Sequence, residues 1–319
     1  MEEPSFDEFL QKLADADQPI PLEHVKLLSD LDARQIKQVA STWETITPSR
    51  RLALLEHCGK LAEEHFEFLF EALNRLALED VESTVRVQAV HNLWECEAPD
   101  ILPLLIDMLL HAEEEKEREA AAEALGQFVY LGELDDIGET DKLDIEKALL
   151  QAVQHDPSRQ VQRRGMESLG YSSRTEVADL INAFHTSDNE QDQITAIIAM
   201  GRSADPIWGE DVRLALQNTS PEIRMHAARA AGELEMKDAV EDLIDILSDI
   251  NALNQAAAVW ALGQIGGERA REALLYFDEQ NEDEVLGELL QESLDHLAFV
   301  DGGDDFLFLD LNKDRGIEF

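Results

Sequence analysis

Cys58 and His91 have the types and the spacing for a nucleophile. They fall at matching positions of two successive helical runs, 33 residues apart, when Leu52 is aligned with Val85. A thiol beside an imidazole can lose its proton to the ring and attack an electrophile. No third group is placed to orient the imidazole, and a buried cysteine with a separately bonded histidine accounts for the same residues. Glu23-His24, Glu56-His57 and Glu64-His65 set carboxylate and imidazole donors side by side, but at irregular intervals. The chain has no Gly-rich phosphate loop, no Walker motif and no Gly-x-Ser-x-Gly elbow. Its two cysteines, Cys58 and Cys96, are too few for a disulfide framework or a cysteine-rich zinc site.

The elements that must carry these groups are repeats. Gly170, Gly201, Gly232 and Gly263 are spaced by 31 residues, and so are Asp156, Ser187, Asn218 and Asp249. Gln162, Gln193, Arg224 and Gln255 form a third register with the same spacing, extended back to Arg86 and Arg118. Such a period is the signature of a solenoid. Within one copy, Ala239, Val240, Leu243, Ile244 and Leu247 make one apolar helix stripe, and Ala257, Ala258, Ala261, Leu262 and Ile265 mark a second helix. Gly263 with Gly266-Gly267 is expected to close that helix. The Asp/Ser/Asn column suits turns and caps. The Arg/Gln column suits hydrogen bonds that tie neighbouring repeats through carbonyls or capping carboxylates. Gly165, Ala196, Ala227 and Ala258 leave room for close helix approach. A helix pair of this kind leaves an apolar face bare unless copies stack.

The segments from Pro221 (PEIRMHAARAAGEL) and Lys116 (KEREAAAEALGQF) resemble the second helix of the HEAT repeat, particularly the short phycobilisome-lyase (PBS lyase) HEAT-like form. The resemblance implies an all-α fold, a right-handed α-solenoid of about eight helix pairs with terminal caps. It implies binding of other proteins more than any one chemistry. The HEAT-like di-iron hydroxylases carry His-Glu on their second helices just after the repeated arginine. Here those positions hold Val87-Gln88, Glu119-Ala120, Arg163-Arg164, Ile194-Thr195, Met225-His226 and Ala256-Ala257, so that metal site is not expected. No motif picks out the bilin chemistry of the lyases, and Trp43, Trp94, Trp208 and Trp260 read as core or surface aromatics. Asp310-x-Asn312-x-Asp314 resembles the start of an EF-hand loop, but glycine comes one position late, at Gly316, and the chain stops before the closing glutamate. No catalytic, cofactor-binding or metal residues are assigned, and no cofactor is expected.

The formal charge is −43, from 26 basic and 69 acidic residues, while 44% hydrophobic content is ordinary for a folded core. Phosphate backbones and anionic membranes are therefore disfavoured as partners. The expected partner is another protein, a basic surface being one that suits the charge; the oligomeric state stays open. Neither a signal peptide nor an apolar run of membrane-spanning length is evident, so a cytoplasmic location is expected. Over the regular copies the first helices sum to −7 and the second helices to +1. By resemblance to HEAT arrays the second helices line the concave side, where Arg163, Arg164, His226, Arg229 and Trp260 are the candidate contacts. A sharper patch lies between Glu272 and Asn312, with 13 acidic residues and no Lys or Arg. Its candidates are Glu282, Asp283, Glu284, Asp304 and Asp305. A nucleic-acid mimic that sequesters basic proteins is the alternative use of this charge, and a bilin-lyase-like chromophore handler is the alternative use of the fold.

In chain order, residues 1–30 read as an N-terminal helical cap and 31–299 as the array. The strict 31-residue copies occupy 142–266. An insertion near 131–141 is expected to form a loop. Residues 300–319 read as an acidic-hydrophobic tail that is not helical, a strand-like strip or a peptide offered to a partner.

Overall fold

The computed structural model describes residues 4–313, with side chains to residue 298, and every regular element among them is a helix. The chain divides into two compact units, Met1–Ser168 and Leu169–Phe319. The first holds α1 (Phe6–Ala14), α2 (Ala33–Trp43), α3 (Pro48–Glu64), α4 (Glu71–Ala77), α5 (Ser83–Asn92), α6 (Leu102–His111), α7 (Glu115–Glu133), α8 (Glu139–His155) and α9 (Arg159–Leu169), which ends at the boundary. The second holds α10 (Thr175–His185), α11 (Glu190–Arg202), α12 (Gly209–Leu216), α13 (Pro221–Glu233), α14 (Val240–Ile246), α15 (Ala252–Ile265), α16 (Glu268–Asp278) and α17 (Glu284–Lys313). Helices pair in chain order, and alternate helices pack into rows: α3, α5 and α7 in one unit; α11, α13, α15 and α17 in the other. This is the α-solenoid architecture that the periodicity predicts.

The first unit starts from a capped helix. Ser5 and Glu8 form a capping box, the Glu8 amide donating to Ser5 Oγ (3.4 Å) and the Ser5 amide to Glu8 Oε2 (2.9 Å). Phe9, Leu10 and Leu13 are buried. Arg50, from α3, satisfies the carbonyls at the other end of α1. Its guanidinium donates to Leu13 O (3.0 Å), Lys12 O (3.1 Å) and Gln18 O (2.6 Å).

The Arg/Gln column has a consistent geometry. Each side chain donates to a carbonyl of the turn preceding its own helix: Arg118 to Ala112 O (2.9 Å), Gln162 to Asp156 O (2.7 Å), Gln193 to Ser187 O (2.8 Å), Arg224 to Asn218 O (2.8 Å) and Gln255 to Leu247 O (3.2 Å). The arginines also reach a carboxylate of the following repeat. Arg86 grips Glu117 through two nitrogens (2.8 and 2.7 Å), Arg118 grips Asp156 (2.7 and 3.2 Å), and Arg224 grips Asp249 (3.0 and 2.5 Å). Arg51 is an earlier rung that the sequence spacing does not reveal. It donates to Ile46 O (3.0 Å) and to Asp80 Oδ1 (2.9 Å), and Asp80 also accepts from Trp43 Nε1 (2.6 Å) and the Glu82 amide (2.9 Å). The Asp/Ser/Asn column turns the chain: the amides of Ser158, Asn189, Ser220 and Asn251 donate to Asp156, Ser187, Asn218 and Asp249.

Three expectations are corrected. Gly263 does not close a helix; Gly201, Gly232 and Gly263 lie inside α11, α13 and α15. A Cβ on Gly201 would lie 2.9 Å from Ala230 Cα, on Gly232 2.9 Å from Ala261 Cα, and on Gly263 3.1 Å from Ser293 Cα. The column is a line of close approach between successive second helices. Helix closure falls to a different 31-residue register, Ala204, Glu235 and Gly266, whose φ values of 50°, 49° and 69° are left-handed. At Glu235 the Met236 amide donates to Ala231 O and the Glu235 amide to Gly232 O (both 3.0 Å), a Schellman cap without glycine. The insertion is spent on helix: α7 runs on to Glu133 and α8 starts at Glu139, leaving only 134–138 as connection. The backbone after Val300 is also helical, α17 continuing to Lys313. Val300, Leu307 and Leu311 recur at helical spacing, and Gly302-Gly303 costs a helix only about 1 kcal/mol per residue.

Candidate binding surface

The surface with the most distinctive chemistry lies on the row α3, α5 and α7 of the first unit. Val90, Leu93, Leu105, Ala120 and Phe128 line a cleft of about 230 Å³ between α5, α6 and α7. Trp94 stands at it, 64% exposed, just past the end of α5. His91, also exposed, shares the ridge with Trp94, and on its far side a second cleft of about 390 Å³ runs along α3. The charged residues lining the two clefts are Glu123 in the first and Glu56, Lys60 and Glu63 in the second. The ridge is held by polar groups. Asn92 donates to Leu55 O and to Asn74 Oδ1 (both 2.9 Å) and accepts from Gln88 Nε2 (2.8 Å).

Of the two readings of Cys58 and His91, the structure supports the buried cysteine. Cys58 is fully buried and His91 exposed, and burial pushes the Cys58 thiol far above its ordinary range, so no thiolate forms at neutral pH. Burial also raises the Cys96 thiol, which sits 3.6 Å from an Arg75 nitrogen. Among the described residues no group of three or more His, Cys, Asp or Glu side chains is arranged to hold a metal ion. No helix among them is long and apolar enough to cross a membrane.

The residues singled out by sequence scatter. Arg163 and Arg164 are half-buried on α9. Arg164 donates to Glu167 Oε2 (2.8 Å) and lies 3.9 and 3.8 Å from Glu119 and Glu123 of α7. Burial opposes its charge, but Glu167, Glu123 and Glu119 outweigh it and hold the guanidinium more firmly protonated. That charge is spent within the chain. In the second unit His226 is half-buried, and burial, with Arg229 adding to it against the pull of Glu222, favours the neutral ring. Arg229 is exposed, and Trp260 rests half-buried with its ring against Gly232. Glu282, Asp283 and Glu284 are exposed at the start of α17, where Asp283 Oδ1 accepts from the Leu286 amide (3.1 Å) and so caps the helix. The side chains of Asp304, Asp305, Asp310 and Asn312 lie outside the described residues, as does Asp314 entirely. By sequence Trp94 sits among the other tryptophans and His91 stands only as a partner for Cys58. Nothing in the spacing marks Trp94 as exposed, since Trp43 and Trp208 are buried.

Residues 209–294 match the family model of HEAT repeats. That stretch carries HEAT repeats. The matched stretch covers α12 to α16 and the first part of α17, where the glycine packing is regular. Among solved structures, the CpcE–CpcF complex of phycocyanin lyase from Nostoc is similar at 17% identity, covering 93% of this chain and 96% of that one, with a TM-score of 0.45. Importin beta is similar at 13% identity over 91% of this chain and 46% of its own, with a TM-score of 0.47. Human deoxyhypusine hydroxylase is similar at 17% identity over 92% and 96%, with a TM-score of 0.37. No curated protein matches the sequence. At these identities the likenesses assign no activity to this chain.

Proposed function

We propose that this HEAT-repeat chain is a non-enzymatic scaffold that binds another protein through the exposed faces of its second helices. The observation that carries the reading is the Trp94–His91 ridge between two clefts on α3, α5 and α7. A large aromatic left in water at the mouth of an apolar cleft is the usual form of a binding hot spot. The internal ladder adds to it. Arg51, Arg86, Arg118 and Arg224 are matched by Asp80, Glu117, Asp156 and Asp249, and Arg50 is spent on carbonyls, so the excess acid of the chain is left facing solvent. Such a surface favours a partner with cationic groups.

The test is affinity capture from a source-cell lysate at low and high salt, with mass spectrometry of the eluate. A discrete protein partner is the expected result. A broad set of basic proteins released by salt would replace the scaffold with an acidic mimic. A coloured or metal-bearing eluate without a protein would overturn the reading in favour of a chromophore-handling or metal-dependent activity.

A further inference from the structure

The α5–α6–α7 cleft is specific enough to say what it takes. Resting on the scaffold reading, we propose that it receives one aliphatic or aromatic side chain from a basic amphipathic segment of the partner, with Trp94 as the wall that closes over it. Size supports this. A cavity of about 150 Å³ holds a benzene ring, while small-molecule sites span roughly 300–1,000 Å³. At about 230 Å³ this cleft is scaled to one side chain. Its floor is aliphatic and aromatic, supplied by Val90, Leu93, Leu105 and Phe128. Desolvating an apolar anchor there is favourable.

Charge chooses the flanking residues of the guest. Glu123 marks the α7 side of the cleft, and Glu56 and Glu63 mark the neighbouring cleft beyond the ridge, with Lys60 the one lysine or arginine among the lining residues. Arg164 approaches Glu123 to 3.8 Å and offsets part of that charge, so the α3 carboxylates carry most of the selection. Exposed Glu95 and Glu97 follow Trp94 directly and extend the negative rim. A lysine- or arginine-bearing segment meets opposite charge on both sides of its apolar anchor, and an acidic one meets repulsion. The other tryptophans offer no equivalent. Trp43 and Trp208 are buried, and Trp260 is laid on Gly232.

The experiment is fluorescence anisotropy of the full chain with a labelled amphipathic peptide of leucine, phenylalanine and lysine. Controls are the same peptide with glutamate for lysine and with serine for the apolar residues. The wild-type chain binds the first peptide and neither control. Trp94→Ala weakens binding about tenfold or more, on the hot-spot scale, and Trp94→Phe keeps most of it. Glu56→Gln with Glu63→Gln weakens it several-fold and flattens its salt dependence. Tyr276→Ala, an exposed aromatic on α16, leaves it unchanged. Circular dichroism melts show each variant folded before its affinity is read. Equal binding by Trp94→Ala, or equal binding of the serine peptide, overturns the proposal. So does failure to bind any peptide. If lysate capture still yields a partner that Trp94→Ala retains, the cleft is wrong and the scaffold stands; if capture also fails, the scaffold falls with it.

Discussion

The two units join their repeats by different means. In the first, each rung from Arg51 to Arg118 spans to a carboxylate of the next repeat, and Asp80 and Glu117 are buried in the process. In the second, Gln193 and Gln255 bond only their own turns, Arg224 alone of that column crosses to a carboxylate, and successive second helices touch backbone to backbone at Gly201, Gly232 and Gly263. The spacing differs as well. A long guanidinium tolerates a repeat of 32 residues, as from Arg86 to Arg118, or one stretched by the helical insertion to 44, as from Arg118 to Gln162. In the second unit, where Gly201, Gly232 and Gly263 press against Ala230, Ala261 and Ser293, the period stays at 31, while Gly126 meets Ser168 in the same way across the stretched repeat of the first.

The largest effect should come from cutting a buried rung. Asp80→Asn leaves Arg51 without its counter-charge and should cost about 3–5 kcal/mol in urea unfolding. A smaller loss would place the stabilisation of the first unit elsewhere. In the second unit Gly232→Ala should cost about 1–3 kcal/mol because the new methyl meets backbone. Gly209→Ala, with only Met236 Cε at 3.7 Å, should be neutral or stabilising. Equal effects at the two glycines would remove the close-approach explanation. Arg118→Gln imitates a second-unit rung in the first. It keeps a bond to its own turn but abandons Asp156, for a loss of about 1.5–3 kcal/mol.

Acid tests the charged crossing that Arg224 makes in the second unit. Hydrogen bonds from Asn254 and Arg224 hold the Asp249 carboxyl down at about 2, against an ordinary value of 3.8. A depressed carboxylate stabilises the fold above its unfolded value and loses that contribution as pH falls through its folded one. Stability should therefore decline between pH 3.8 and about 2, and Asp249→Asn should flatten that limb of the acid-unfolding curve. The smallest expected effect is a gain. Glu235→Gly relieves a left-handed side chain at the α13 cap, and should raise stability by roughly 0.5 kcal/mol after the entropy cost of glycine. A loss on thermal unfolding would show that the Schellman cap draws on the glutamate itself.

Much of the array is legible in one dimension, because a repeat forces the same local solution at a fixed interval. The Asp/Ser/Asn column and the arginines of the Arg/Gln column perform the hydrogen-bonding work their types imply, while the glutamines bond only their own turns. Arg51 is missed because the first repeats vary in length, so no constant offset leads back to it. The glycine column is misassigned because glycine serves both positive φ and close approach, and a sequence does not separate them; Ala204 and Glu235 occupy the true cap register without any glycine to mark it.

For the surface the balance is reversed. Composition determines that the chain is acidic, and residue order that it is helical and repetitive, since charge is a sum over single residues and a period is a pattern along the chain. Whether Trp94 is exposed while Trp43 donates a hydrogen bond to a buried Asp80, or whether Arg164 is free or gripped by α7, depends on which helices meet. Exposure and pairing belong to neighbours distant in sequence, and only the tertiary packing decides them.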